Sequence, residues 1–266
     1  MPDNLFDLTG KVTLVTGGNS GIGLGFAMGV AKCGSDVMIW GRSAEKNASA
    51  TETLRELGVR AESACVDVAD EEQVVTGIRG AVTRMGRLDC VIANAGIATK
   101  VKSFVDMSTS EYKELLDINQ HGAFYTLREA ARHMVSRSEQ GDPGGSLIVC
   151  GSMTTLHGTP GMQHYAAAKG ALASIMRCTA VEYGVHGIRA NMVIPGYIVT
   201  GMTSGNERVT KDFADQLDRQ MAEKAPLGRV GFPADFEGIA AYLASDASSY
   251  QTGTLTVIDG GRTATA

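Results

Sequence analysis

Lys11-Val12-Thr13-Leu14-Val15-Thr16-Gly17-Gly18-Asn19-Ser20-Gly21-Ile22-Gly23 runs from a short β-branched stretch into a glycine cluster, and Leu24 to Cys33 continues as an apolar segment. The first six residues suit a strand and the last ten a helix, so the local pattern is strand, glycine turn, helix. Within the turn, Gly17-x-x-x-Gly21-x-Gly23 permits a tight bend and lets backbone amides and a helix N-terminus approach a pyrophosphate. The spacing differs from GxGxxG, and a glycine cluster alone serves equally well as a plain turn. The strand before it and the helix after it supply the context that phosphate binding requires.

The same alternation continues outward along the chain. Strands are expected at Asp36 to Trp40, Ala61 to Val66, Leu88 to Ala93, Leu147 to Cys150, Ile188 to Ile194 and Thr254 to Ile258. Helices are expected at Ala44 to Leu57, Asp70 to Met85, Ser108 to Ser136 and His164 to Tyr183, the third opened by a capping box at Ser108 and Glu111. Strands separated by helices imply right-handed βαβ units and a mostly parallel sheet covered on both faces. The expected architecture is α/β: one doubly wound Rossmann-like domain over residues 1–266, with about seven strands. Residues 196–227 break the rhythm, carry an expected helix near Thr210 to Glu223, and are placed as a lid-like substrate loop.

Composition narrows the function classes. The chain has 266 residues, 44% hydrophobic and 20% charged, with a formal net charge of -5 and no long basic run. Neither a nucleic-acid footprint nor a polybasic membrane patch is present, which leaves small molecules as the expected partners. Cys33, Cys65, Cys90, Cys150 and Cys178 are odd in number and widely spaced, mostly in apolar contexts and without CxxC or Cys/His ligand patterns, and read as reduced core residues. No catalytic metal is expected. The N-terminus lacks a charged-then-apolar signal and no run reaches ~18 apolar residues, so a cytoplasmic, unanchored protein is expected.

Strand ends carry the remaining candidates. The second strand ends in Gly41-Arg42-Ser43, where an acid would hold a ribose 2′-hydroxyl. There is no acid here. Gly41 leaves room for a 2′-phosphate, Arg42 brings a fork of donors and Ser43 another hydroxyl, so NADP(H) is favoured over NAD(H). Asp67-Val68 and Asn94-Ala95-Gly96 end the next two strands, at the edge where open sheets bind ligands, though each also suits a cap or a turn. Ser152 follows another strand, and Tyr165 and Lys169 stand at i, i+4 on one helix face. Singly, Tyr165 could pack in a core helix, Lys169 could snorkel, Ser152 could cap and Asn119 could bend its helix.

Taken in order, Thr16-Gly17-x-x-x-Gly21-Ile22-Gly23, Asp67-Val68, Asn94-Ala95-Gly96, Asn119, Ser152, Tyr165-x-x-x-Lys169 and Pro195-Gly196 resemble the motifs of the short-chain dehydrogenase/reductase family. Gly228-Arg229-Val230-Gly231, Thr252-Gly253 and Asp259-Gly260-Gly261 are similar to its bacterial ketoreductase and polyol-dehydrogenase branch. Two positions depart from the family pattern. Ala93 stands where many members have a second asparagine, and Ser20 where many NADP-preferring members have a basic residue.

The resemblance implies hydride exchange between nicotinamide and a ketone or secondary alcohol. Tyr165 is then the general acid/base, Lys169 lowers its pKa and holds the nicotinamide ribose, and Ser152 stabilises the substrate oxygen. Asn119 is implied to hold a water that relays protons to Lys169. Gly17, Asn19, Ser20, Gly21, Ile22, Gly23, Arg42, Ser43, Asp67, Val68, Asn94, Ala95, Gly96, Pro195, Gly196, Ile198 and Thr200 are expected around the cofactor, with Ile198 and Thr200 at the carboxamide. Met153, Leu156, His157, Met162, Tyr197 and Met202 are expected to line a largely apolar substrate pocket. Simple ketones, 3-oxoacyl thioesters and sugars or polyols remain open as substrates, the lining tilting towards the first two. A homotetramer is implied, paired through the helices at Ser108 to Ser136 and Ala166 to Tyr183. The rival possibilities are an NAD-dependent sugar or polyol dehydrogenase, a nucleotide-sugar epimerase or dehydratase, and a dinucleotide-sensing regulator without catalysis.

Overall fold

The computed structural model describes residues 4–204 and 211–265. Seven parallel strands make one sheet in the order β3-β2-β1-β4-β5-β6-β7: β1 (Val12–Thr16), β2 (Asp36–Gly41), β3 (Ala61–Cys65), β4 (Cys90–Ala93), β5 (Gly145–Cys150), β6 (Ile188–Pro195) and β7 (Leu255–Ile258). The expected architecture is present. The order turns back on itself between β1 and β4, so their carboxyl ends diverge and open a crevice at that point.

Alternation along the strands feeds two cores. Leu14, Met38, Val91 and Leu147 point to one face, against α3 (Glu71–Met85), α5 (Gly122–Glu139) and α6 (Gln163–Tyr183). Val15, Ile39, Ile92 and Ile148 point to the other, against α1 (Gly21–Lys32), α2 (Ala44–Arg55) and α9 (Glu237–Ala244). With both faces covered, the central strands have no solvent side, and all five residues of β1 are buried. Helix α9 carried no sequence expectation. It lies so close to α1 that a Cβ on Gly29 would stand 2.2 Å from the Glu237 carbonyl oxygen.

The long helix expected over Ser108 to Ser136 is not continuous. The capping box at Ser108 and Glu111 starts α4 (Thr109–Leu116), a π-turn spans Asp117–His121, and α5 follows. The break is centred on Asn119, a poor helix former whose side chain bonds outside its own helix. In the 196–227 stretch, α7 (Gly201–Ser204) and α8 (Lys211–Glu223) are present; the expected start of the latter at Thr210 falls outside the described residues. Among the described residues no helix is long and apolar enough to cross a membrane. No cluster of side chains there could hold a metal ion. All five cysteines are free thiols, but Cys65 and Cys178 are exposed rather than in the core, because their strand-end and helix positions face outward.

Candidate active site

A cleft of about 850 Å³ opens at the carboxyl edge of the sheet over the β1/β4 crevice. Its first wall is the glycine turn. Thr16, at the end of β1, accepts through Oγ1 from the main-chain N–H groups of Asn94 and Ala95, both at 3.0 Å. Asn94 Nδ2 returns a bond to the Thr16 carbonyl at 3.0 Å, which locks the ends of β1 and β4 together. At Gly23 a Cβ would lie 2.2 Å from the Gly17 carbonyl oxygen and 2.5 Å from Asn94 Nδ2, so only glycine fits there. Ser20, the N-cap of α1, makes no side-chain cap bond, and Ser20 to Gly23 line the cleft. A bare helix N-terminus behind a cradle that any Cβ would fill fits a dinucleotide pyrophosphate.

At the end of β2, Arg42 is exposed and lines the cleft, as expected. Ser43 does not line it; its Oγ accepts from the Lys46 N–H at 3.3 Å and caps α2. Lys46 does line the cleft, and sequence reasoning missed it. The available signal was its place in the first turn of α2, three residues after a capping serine. Asp67, Val68, Asn94, Ala95, Gly96, Pro195, Gly196, Ile198 and Thr200 all line the same space.

Ser152, Tyr165 and Lys169 line the cleft as well. Strand β5 delivers Ser152 just past Cys150, and α6 delivers the other two one turn apart. Ser152 Oγ accepts from the Thr154 N–H at 3.2 Å. Lys169 is 4% exposed, donates from Nζ to the Cys150 carbonyl at 2.8 Å, and stands 5.8 Å from the centre of the Tyr165 ring. Burial lowers the Lys169 pKa.

Burial also pushes the Tyr165 phenol up to about 12, with the neighbouring Cys150 adding to the rise and the Ser152 hydroxyl opposing it. This corrects the expectation of a phenol lowered by Lys169. In the chain by itself desolvation of the phenolate prevails, and the ammonium is turned to a carbonyl rather than to the phenol oxygen.

Asn119 is completely buried behind this floor. Its Nδ2 donates to the Ile97 carbonyl and its Oδ1 accepts from the Ile97 N–H, both at 2.7 Å. A Cβ on Gly96 would lie 2.7 Å from Asn119 Oδ1 and 3.8 Å from Lys169 Nζ, so the loop after β4, the π-turn and α6 meet at one point. The amide therefore holds the cleft wall at Ile97.

Of the six expected substrate-pocket residues, Met162 and Tyr197 line the cleft. Met153 instead packs against the core, Leu156 is exposed, and His157 is not on the cleft wall. The Met202 side chain lies outside the described residues. Tyr197 donates to Asp218 Oδ1 at 2.9 Å, which ties the cleft wall to α8, and burial together with Asp218 pushes its phenol up to about 12. Thr154, Ile97, Ala98 and Ile118 also line the cleft, and sequence reasoning did not anticipate them.

Comparison with known proteins agrees with this arrangement. The family model described as Enoyl-(Acyl carrier protein) reductase matches residues 17–263. L-rhamnose 1-dehydrogenase (NAD(P)(+)) of Sphingomonas sp. (strain SKA58) is 37% identical over 256 residues, 96% of each chain. Among solved structures, a short-chain type dehydrogenase/reductase from Mycobacterium marinum is 34% identical with a TM-score of 0.88, covering 97% of this chain and 98% of that one. A gluconate 5-dehydrogenase from Burkholderia cenocepacia J2315, in complex with NADP and tartrate, is 31% identical with a TM-score of 0.87 over 98% of both chains. With the ordered motifs, the sheet order and matches over nearly the whole length in agreement, the chain belongs to the short-chain dehydrogenase/reductase family of oxidoreductases.

Proposed function

We propose that this protein is an NADP(H)-dependent oxidoreductase that interconverts a ketone and a secondary alcohol, with Tyr165 as general acid/base. The observation that carries the proposal is the presence of Ser152, Tyr165 and Lys169 on the same cleft as the glycine cradle. When bound, the nicotinamide supplies or accepts the hydride. The chain's own residues handle the proton and the oxygen. A phenol held near 12 is protonated at neutral pH and donates to a carbonyl oxygen during reduction. Ser152, on the same cleft, donates to the same oxygen and stabilises the charge that develops there. In the oxidative direction Tyr165 must lose its proton, and Lys169, whose Nζ is 5.8 Å from the centre of the Tyr165 ring, would favour the phenolate only once it turns from the Cys150 carbonyl towards the phenol oxygen. Asn119 positions the Ile97 wall.

Arg42 and Lys46 on the cleft, with Gly41 where an acid would read a ribose diol, support NADP(H) over NAD(H). A polyhydroxylated substrate is a second reading within the same chemistry. The buried Thr154 Oγ1 has no partner, and Thr154 lines the cleft. Two of the compared proteins are named as a rhamnose and a gluconate dehydrogenase. The proposal extends to a cytoplasmic homotetramer, for which Tyr112, Phe124 and Val181 on α4, α5 and α6 are exposed apolar residues.

The test is turnover of a panel of ketones, oxoacyl thioesters, sugar acids and polyols with both cofactors, for wild type and Tyr165→Phe. The variant should keep cofactor affinity and lose about 10²- to 10⁴-fold in kcat. A fully active Tyr165→Phe enzyme, or no turnover of any substrate despite tight NADPH binding, would remove the mechanism.

A further inference from the structure

Asn47 sits in the first helical turns of α2, is 2% exposed, and hydrogen-bonds through both ends of its amide. Its Nδ2 donates to the Gly41 carbonyl at 2.9 Å and to the Ala64 carbonyl at 3.1 Å, bridging the ends of β2 and β3. Two carbonyl partners fix which end of the amide is nitrogen, so Oδ1 must face the other way. There it accepts from Asn19 Nδ2 at 2.7 Å. The glycine turn is thereby hooked to the end of β2 by an asparagine pair, and the pair fills the space over Gly41. A Cβ at Gly41 would stand 2.1 Å from Asn19 Nδ2 and 2.6 Å from Asn47 Oδ1, closer than a carbon approaches either atom.

Asn19 on its own is partly exposed and could turn aside. Asn47 cannot follow it, because moving its amide would take the donor away from both the Gly41 and the Ala64 carbonyls. The position from which a carboxylate would read an unphosphorylated ribose is therefore closed to any side chain, while Arg42 and Lys46 stand on the open cleft beside it.

We infer that Asn47 is a specificity-determining residue for the cofactor: by holding Asn19 over Gly41 it excludes a ribose-reading carboxylate and leaves that position to the cations that suit a 2′-phosphate. The inference rests on the NADP(H) reading above and adds a residue whose side chain acts through another.

The test is a mutant cycle read by direct binding of NADPH and NADH, followed by quenching of the single tryptophan, Trp40, which lines the cleft. Gly41→Asp alone should weaken both cofactors, by at least about tenfold for NADPH, with no gain for NADH, because the new carboxylate meets the locked pair. Gly41→Asp with Asn19→Ala, and separately with Asn47→Ala, should each restore NADH binding by about tenfold or more over Gly41→Asp and reverse the cofactor preference. Should Asn47→Ala not fold, Asn47→Ser takes its place, since its hydroxyl can still reach a strand carbonyl but cannot hold Asn19. A gain in NADH binding by Gly41→Asp alone overturns the inference, as does rescue by Asn19→Ala without rescue at position 47. Wild-type protein that binds NADH as tightly as NADPH overturns the NADP(H) reading instead, and the cycle still reports whether the pair blocks position 41.

Discussion

Asn119→Ala is the substitution whose cost follows most directly from the geometry. The side chain is fully buried and makes two 2.7 Å bonds, one to each main-chain group of Ile97. Truncation leaves an N–H and a C=O without their partner. A deserted group costs about 1–3 kcal/mol when buried, and because Ile97 is only half-buried the lower end applies, giving about 2–3 kcal/mol in all. For a chain of 266 residues, at roughly 2.1 cal/mol/K per residue, this lowers Tm by about 4 °C. Asn119→Asp sharpens the test. It keeps an acceptor for the Ile97 N–H but sets a second oxygen against the Ile97 carbonyl, so it should destabilise at least as much as alanine. Urea unfolding at fixed protein concentration, with m unchanged, measures both. Kinetics should show a fall in kcat with little change in cofactor affinity, because the clamp holds the wall beside Lys169 rather than the glycine cradle. An alanine variant within about 0.5 kcal/mol of wild type, or an aspartate variant as stable as wild type, would refute the view that this amide holds the cleft wall.

Other outcomes follow from the same geometry. Gly23→Ala puts a methyl 2.2 Å from the Gly17 carbonyl, so cofactor binding measured by titration should be lost while the far-UV spectrum stays that of the wild type; unchanged affinity would contradict the tight cradle. A difference ultraviolet titration of the cofactor-free wild type against Tyr165→Phe should show one phenol ionising near 12 instead of 10. Since burial raises this pKa, its contribution to stability is complete below pH 10 and is lost as pH climbs towards 12, a fall of about 2–3 kcal/mol that Tyr165→Phe should lack. A Tyr165 phenol that titrates below 10 in the absence of cofactor would restore Lys169 as the dominant influence.

The fold was legible from residues 11–33 because β-branched run, glycine cluster and apolar helix are local signals, and their repetition specifies βαβ units whatever the side chains later do. Gly17, Gly21 and Gly23 could be placed for the same reason, since their requirement is for the absence of a side chain. The long helix at 108–136 read as continuous because periodicity averages over many residues and does not register one amide that bonds outside its own helix. Asn119 breaks it through Ile97, 22 residues away. Helix α9 escaped notice because it is short and its fit against α1 depends on glycines some two hundred positions earlier. Lys46 and Asn47 were passed over as part of a polar amphipathic helix, although one faces the cleft and the other is buried.

The class of the sheet, the glycine turn at its switch point and the candidacy of Ser152, Tyr165 and Lys169 are written in short stretches with their own spacing, and so could be read before any packing was known. What those groups experience depends on how distant segments pack around them. The Tyr165 phenol rises instead of falling because burial penalises its charged form, while Lys169 Nζ is turned to the Cys150 carbonyl. Met153 belongs to the core rather than to the pocket, and the space at Gly41 is closed by two asparagines 28 residues apart. Burial and close approach arise only when distant segments pack, and no local pattern encodes them.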